Sequence, residues 1–174
     1  MPVSPVRMDL RALCQALYDE FRTAHPTRRI SLESEGEFYG MWDVDRLRQA
    51  ISNLLGNAIQ HSPESAPVQM RLSGDASNSR VTIYNGGPPI PPGELAKIFD
   101  PLVRGSSAEH PKANRPGSIG LGLYIARAIA ESHGGTIEVV SSRELGTSFT
   151  IVIPRQIVDE SRSPVLDEKH LQTM

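Results

Sequence analysis

Apolar residues recur at helical spacing over Leu10, Leu13, Cys14, Leu17 and Phe21, directly after Asp9, whose side chain suits a helix N-cap. This predicts a first helix that ends near His25 and Pro26. "RRISLESEG" and "EFYGMWD" show rough alternation with a glycine nearby, and together predict a hairpin of two short strands. From Asp43 to about Ser62 the apolar positions Leu47, Ile51, Leu54, Leu55, Ala58 and Ile59 return to helical spacing, with Asp43 as cap and Pro63 as stop. "PVQMRLSG" and "SRVTIYN" alternate around the turn-rich "DASNS", the pattern of two antiparallel strands. "GGPPIPPGE" then leads into a short helical piece, "LAKIF". The stretch from Arg104 to Gly117 has almost no large apolar residue and is expected to be a mobile loop. A last helix runs through Leu123, Ala126, Ile129 and Ala130, followed by the strands "GTIEVVSS" and "GTSFTIVIP".

Strands that arrive in adjacent pairs, with helices between the pairs, favour an α+β sandwich: a mixed, largely antiparallel sheet with helices on one face. A doubly wound fold would alternate strand and helix singly. One folded unit over 9–154 is expected, with residues 1–8 as the remnant of a linker and 155–174 as a polar tail without period.

Composition narrows the setting more than the chemistry. With 174 residues, 39% of them hydrophobic, the chain can bury one core of ordinary size. Its 18 basic and 20 acidic side chains leave a formal charge of -2, so nothing calls for a nucleic acid or an anionic membrane as partner. A lone Cys14 forms no internal disulfide, and no apolar run approaches the ~20 residues that span a bilayer. A cytoplasmic setting is expected, with a membrane anchor elsewhere in a longer parent left open.

Three features carry candidate chemistry. Gly117, Gly120 and Gly122 stand directly before a helix, where orphan N–H groups and the helix dipole favour an anion. Taken alone, they fit close helix packing equally well. Asn53 and Asn57 lie one turn apart on the second helix, with Gln49 and Gln60 or His61 extending the same polar stripe opposite the leucines. Such a stripe either faces solvent or offers amide oxygens to a hard cation such as Mg²⁺. "YNGGPPI", from Tyr84 to Ile90, ends a strand in a sharp turn.

In their order and separation, "NLLGNAIQHS", "NGGPPIPP", "IFDPLVRG", "GSIGLGLYIA" and "GTSFTIVIP" resemble the N, G1, F and G2 boxes and the final glycine-threonine strand of the catalytic ATP-binding domain of sensor histidine kinases. The resemblance covers about Asp9 to Pro154. It implies the Bergerat ATP-binding fold and transfer of the ATP γ-phosphate to a histidine. By position, Asn57 matches the Mg²⁺ ligand and Asn53 lines the phosphate site. Asn85 falls where the family carries an aspartate for the adenine amine, and Gly87 and Ile90 border the base. Arg104, with Lys112 or Arg115, matches phosphate-facing cations. Gly117, Gly120, Leu121, Gly122 and Leu123 match the phosphate-cradling turn, and Thr147 a threonine that reaches the adenine.

Three positions depart from that pattern. Asn85 puts an amide in place of a carboxylate, and an amide can flip to meet guanine's opposite donor–acceptor pattern, so adenine-over-guanine discrimination is expected to be weaker. Pro89 stiffens the G1 turn, and Leu102 replaces a second phenylalanine. Related gyrase-like and heat-shock-type ATPases carry a water-activating glutamate one turn before the metal-binding asparagine. Asn53 stands there instead and cannot take a proton, which argues for a nucleophile other than water. The histidines His25, His61, His110, His133 and His170 lack the setting of a phosphoacceptor and are expected at the surface or at helix ends. The acceptor is therefore expected outside this chain, on a helical hairpin that would dimerise the parent, with a response regulator downstream. An anti-sigma-type serine kinase and a nucleotide-independent scaffold of the same fold stay open as alternatives.

Overall fold

A computed structural model describes residues 2–101 and 120–156. The chain order is β1 (Val6–Asp9), α1 (Leu10–Ala24), β2 (Ile30–Gly36), β3 (Tyr39–Trp42), α2 (Val44–Gln60), β4 (Val68–Gly74), β5 (Asn78–Asn85), α3 (Pro92–Leu95), α4 (Gly122–Ser132), β6 (Thr136–Ser142) and β7 (Gly146–Pro154). Five strands form the main sheet in the order β2-β4-β5-β7-β6, and β1 with β3 forms a separate two-stranded sheet. Only the β2–β4 pair in the main sheet is parallel. The mixed, mostly antiparallel sheet expected from the element order is therefore present.

Both predicted caps form. The Asp9 carboxylate accepts from the Arg11 N–H, and the Asp43 carboxylate from the Arg46 N–H. Asp43 also accepts from the Ser4 N–H, and these bonds hold its carboxyl below the usual carboxylate range. The apolar stripe of α2, including Leu47, Ile51, Leu54 and Leu55, is buried against Val81 and Ile83 of β5 and their neighbours in one core. Each such side chain contributes roughly 1.5–3 kcal/mol.

The expected hairpin of β2 with β3 does not form. Strand β2 pairs in parallel with β4, Ile30 opposite Val68, after a crossover through α2, while β3 pairs with β1. Parallel neighbours need such a crossover, and alternation within a strand does not say which partner lies beyond it. Two expected boundaries also move. Val6, Arg7 and Met8, read as linker, belong to β1. Arg155, read as the start of the tail, is 4% exposed and ties the two sheets together. Its Nε donates to the Tyr39 carbonyl at 2.8 Å, and one terminal nitrogen donates to the Asp75 carbonyl at 2.8 Å and to the Glu37 carboxylate at 3.0 Å. Its own backbone carbonyl accepts from the Met41 N–H. The short helix α3 covers "PGEL" rather than "LAKIF", because Pro92 fits the first helical turn, where no N–H is required.

Candidate functional site

Helices α2 and α4 are joined at two levels. Toward the start of α2, the Asp43 N–H donates to His133 Nε2 at 3.1 Å, which leaves Nδ1 as the protonated nitrogen, 2.8 Å from the Ile129 carbonyl. A buried His133 thus caps α4 and holds the entrance of α2; both it and His61 stand at helix ends, as expected. Further along α2, Asn53 Nδ2 donates to the Gly122 carbonyl at 3.2 Å. The polar stripe is therefore not simply a solvated face. Asn53 and Asn57 are half-buried, and Asn53 meets the first turn of α4.

That first turn begins with Gly120 at φ +64°, followed by Leu121 at the N-cap. A leucine side chain cannot accept a hydrogen bond, so no side chain of the cap residue serves the leading N–H groups of α4. They remain suited to an anion. Leu121, Gly122 and Leu123 are half-buried here, with Leu123 packed on the core.

The other end of the site is set by strand register. Asn85 closes β5 and pairs with Thr147 of β7, which pairs in turn with Ser141 of β6. Asn85 is 2% and Thr147 3% exposed, so two polar side chains are buried at the edge of an apolar core. Buried polar groups of this kind demand partners. Ser141 Oγ lies 2.7 Å from Thr147 Oγ1 and accepts from the Ile90 N–H at 2.8 Å. Gly87 passes so close to the end of α2 that an added Cβ would stand 2.4 Å from the His61 carbonyl oxygen and 2.9 Å from Asn85 Nδ2. Only glycine fits there. Ile90 packs partly buried on the core, and Phe99 meets Phe149 edge-on at 6.1 Å between ring centroids.

The structure thus gathers Asn53, Gly120, Leu121, Gly122 and Leu123 around one helix start, with Asn57 one turn beyond Asn53. It sets Asn85, Gly87, Ile90 and Thr147 at the strand ends. Arg104, Lys112, Arg115 and Gly117 lie outside the described residues. Sequence reasoning missed Ser141 and the Asn53–Gly122 bond. Alternation could have flagged the first: Ser141 falls on the same side of β6 as Ile137 and Val139, both packed on the core.

Residues 42–157 match the family model of the Histidine kinase-, DNA gyrase B-, and HSP90-like ATPase, and the chain belongs to this family. Within it, the chain is most like sensor histidine kinases. It is 32% identical over 147 residues to the sensor protein CzcS of Cupriavidus metallidurans, covering 84% of this chain and 30% of that protein. It is also 32% identical over 154 residues to a bacteriophytochrome of Pseudomonas aeruginosa, covering 88% of this chain and 21% of that protein. The chain therefore spans about a third or less of the length of these relatives. The catalytic domain of the histidine kinase ThkA superposes with a TM-score of 0.73 at 28% identity, over 88% of this chain and 97% of that one. The mycobacterial sensor histidine kinase MprB superposes with a TM-score of 0.75 at 27% identity, over 88% of this chain and all (100%) of that one.

Proposed function

We propose that this chain binds ATP between α2, α4 and the ends of β5 and β7, and that it serves as the catalytic domain of a sensor histidine kinase. The observation that carries the reading is the convergence of Asn53 with the Gly120–Gly122 turn, secured by the 3.2 Å bond to the Gly122 carbonyl. It sets amides of α2 beside the N-terminus of α4, where phosphate is favoured by both donors and dipole. The buried Asn85–Thr147 pair supplies polar groups for the base. Arg104, with Lys112 or Arg115, is assigned to phosphate charge by sequence position.

Mg²⁺ fits the same end. A cation here would be held by amide and phosphate oxygens, the hard donors that Mg²⁺ takes. Asn57, half-buried one turn beyond Asn53, is assigned to supply one by its match to the family pattern. Bound there, Mg²⁺ would neutralise phosphate charge. The protein's own part is positioning: the first turn of α4 fixes the phosphates, and Asn53, unable to deprotonate water, leaves the γ-phosphate to an incoming imidazole.

The acceptor histidine and dimer contact would be supplied by a helical hairpin outside this chain, and a response regulator would take the phosphoryl group onward. A solved structure of ThkA is a complex with the response regulator protein TrrA. The similar solved structures, named as histidine kinases, favour histidine over serine as acceptor. No helix of the described residues is long and apolar enough to cross a membrane. Calorimetric titration with a non-hydrolysable ATP analogue, with and without Mg²⁺, tests the reading. Binding strengthened by Mg²⁺ is expected; no binding at millimolar analogue would overturn it.

A further inference from the structure

We propose that Ser141 is a positioning residue for the nucleotide base, acting through Thr147 and through the turn that carries Gly87 and Ile90. The proposal rests on the nucleotide-binding reading above. Three strands bring the relevant groups into one row, since Asn85 pairs with Thr147 and Thr147 with Ser141. The row is short of partners on its own. Asn85 and Thr147 are buried, and a buried hydroxyl left to rotate would present no fixed direction to a ligand.

Ser141 removes that freedom. A serine hydroxyl has one proton and two lone pairs. One lone pair takes the Ile90 N–H at 2.8 Å, and the 2.7 Å contact with Thr147 Oγ1 engages either the proton or the second lone pair. Two of its three capacities are thus held by protein partners, which makes Ser141 a support for the residues beside it. Its bond to Ile90 has a second effect. The segment from Gly86 to Pro91 contains three prolines and belongs to no helix or strand, so few backbone N–H groups are available to anchor it. The Gly86 N–H donates to the Pro67 carbonyl at one side, and the Ile90 N–H donates to Ser141 at the other. Between these two anchors lies Gly87, pressed against Asn85 and the end of α2. Freeing Ile90 would let the wall of the base pocket drift while the phosphate end, built by α2 and α4, stayed in place.

The test compares wild type, Ser141→Ala and Ser141→Thr for binding of the ATP analogue and of inorganic tripolyphosphate, both with Mg²⁺ and below each variant's melting temperature. For Ser141→Ala, affinity for the analogue is expected to fall about tenfold, as for loss of one or two half-buried hydrogen bonds. Tripolyphosphate binding should stay at the wild-type level, and Ser141→Thr, which keeps the hydroxyl, should hold the analogue much better than Ser141→Ala. A double-mutant cycle adds a reading that general loosening would not produce: Thr147→Val should cost less in the Ser141→Ala background than in wild type. Equal affinity of wild type and Ser141→Ala for the analogue would overturn the proposal. So would an equal loss for tripolyphosphate, or additive Ser141 and Thr147 effects. A wild type that binds neither compound would overturn the nucleotide-binding reading itself, and this proposal with it.

Discussion

The two ends of β7 use polar residues in opposite ways. At its start, Thr147 sits buried in register between Asn85 and Ser141. At its far end, Pro154 and Arg155 spend their hydrogen bonds entirely within the protein. The Pro154 carbonyl accepts from Trp42 Nε1 at 2.8 Å, and the Arg155 guanidinium serves Tyr39, Glu37 and Asp75. One strand thus runs from the proposed nucleotide end to a seam whose polar groups bond one another. Burial alone does not distinguish them, as Thr147 is 3% and Arg155 4% exposed. What differs is the partners: Thr147 meets one neighbouring hydroxyl, whereas Arg155 is held by two backbone carbonyls and a carboxylate.

Substitutions at each end can break or sharpen that contrast. The largest effect is expected at the ligand end, from Asn57→Asp, which adds charge at the proposed cation position with little change in size. Mg²⁺-dependent phosphoryl transfer to a supplied histidine hairpin should fall by at least about 100-fold, with folding intact. Unchanged transfer would refute the role given to Asn57. At the seam, Arg155→Ala should leave the Tyr39 and Asp75 carbonyls without their partner and cost roughly 2–4 kcal/mol in urea unfolding. The same variant should bind the ATP analogue normally at low temperature. A loss of affinity without a loss of stability would show that the two ends are not separate in function. Glu37→Gln should do much less, since Glu37 is exposed.

A subtler change is expected from Asn85→Asp. Replacing a flippable amide by a carboxylate that only accepts should raise the ratio of ATP to GTP analogue affinity by about tenfold. Strong rejection of GTP by the unaltered chain, with no gain from aspartate, would sink the idea. The smallest effect concerns pH. Asp75 accepts from the Asn78 N–H, from Arg80 and from the Ser77 N–H, which pull its carboxyl from 3.8 down to about 2. A carboxylate with a lower pKa in the folded state stabilises the fold above its unfolded value and loses that contribution as pH falls through the folded one. Melting temperature in wild type should thus drop further between pH 4 and pH 2 than in Asp75→Asn, by a small margin because the group is exposed.

Much of this was legible in the chain. Helices α1 and α2 were marked by apolar spacing and by Asp9 and Asp43, and β7 by a β-branched and apolar run between Gly146 and Pro154. Residue order was enough to name the candidate positions Asn53, Asn57, Gly120 and Gly122, and the bond from Asn53 to the Gly122 carbonyl brings two of them together. Pairing was not. The partner of β2 lies beyond a helix, and β1, only four residues long, is too short for its alternation of Val6 and Met8 with Arg7 and Asp9 to stand out. Arg155 and Ser141 were hidden for a related reason. Each acts on residues brought near by register, and their worth appears only once distant segments are side by side.

Register also decides which changes of length this protein can absorb. Neighbouring strand residues face opposite sides of the sheet, so inserting one residue into the turn between Ser142 and Gly146 either bulges out harmlessly or shifts the whole pairing of β6. In the second case Ser141 would turn to the far side and its neighbour would take its place. That neighbour on the C-terminal side is Ser142, another serine. The chain thus carries a spare hydroxyl beside the one it uses, while a slip in the other direction would bring in Val140 and leave Thr147 facing a hydrocarbon. Drift in the length of this turn would accordingly be tolerated unequally, depending on which way it moved the strand.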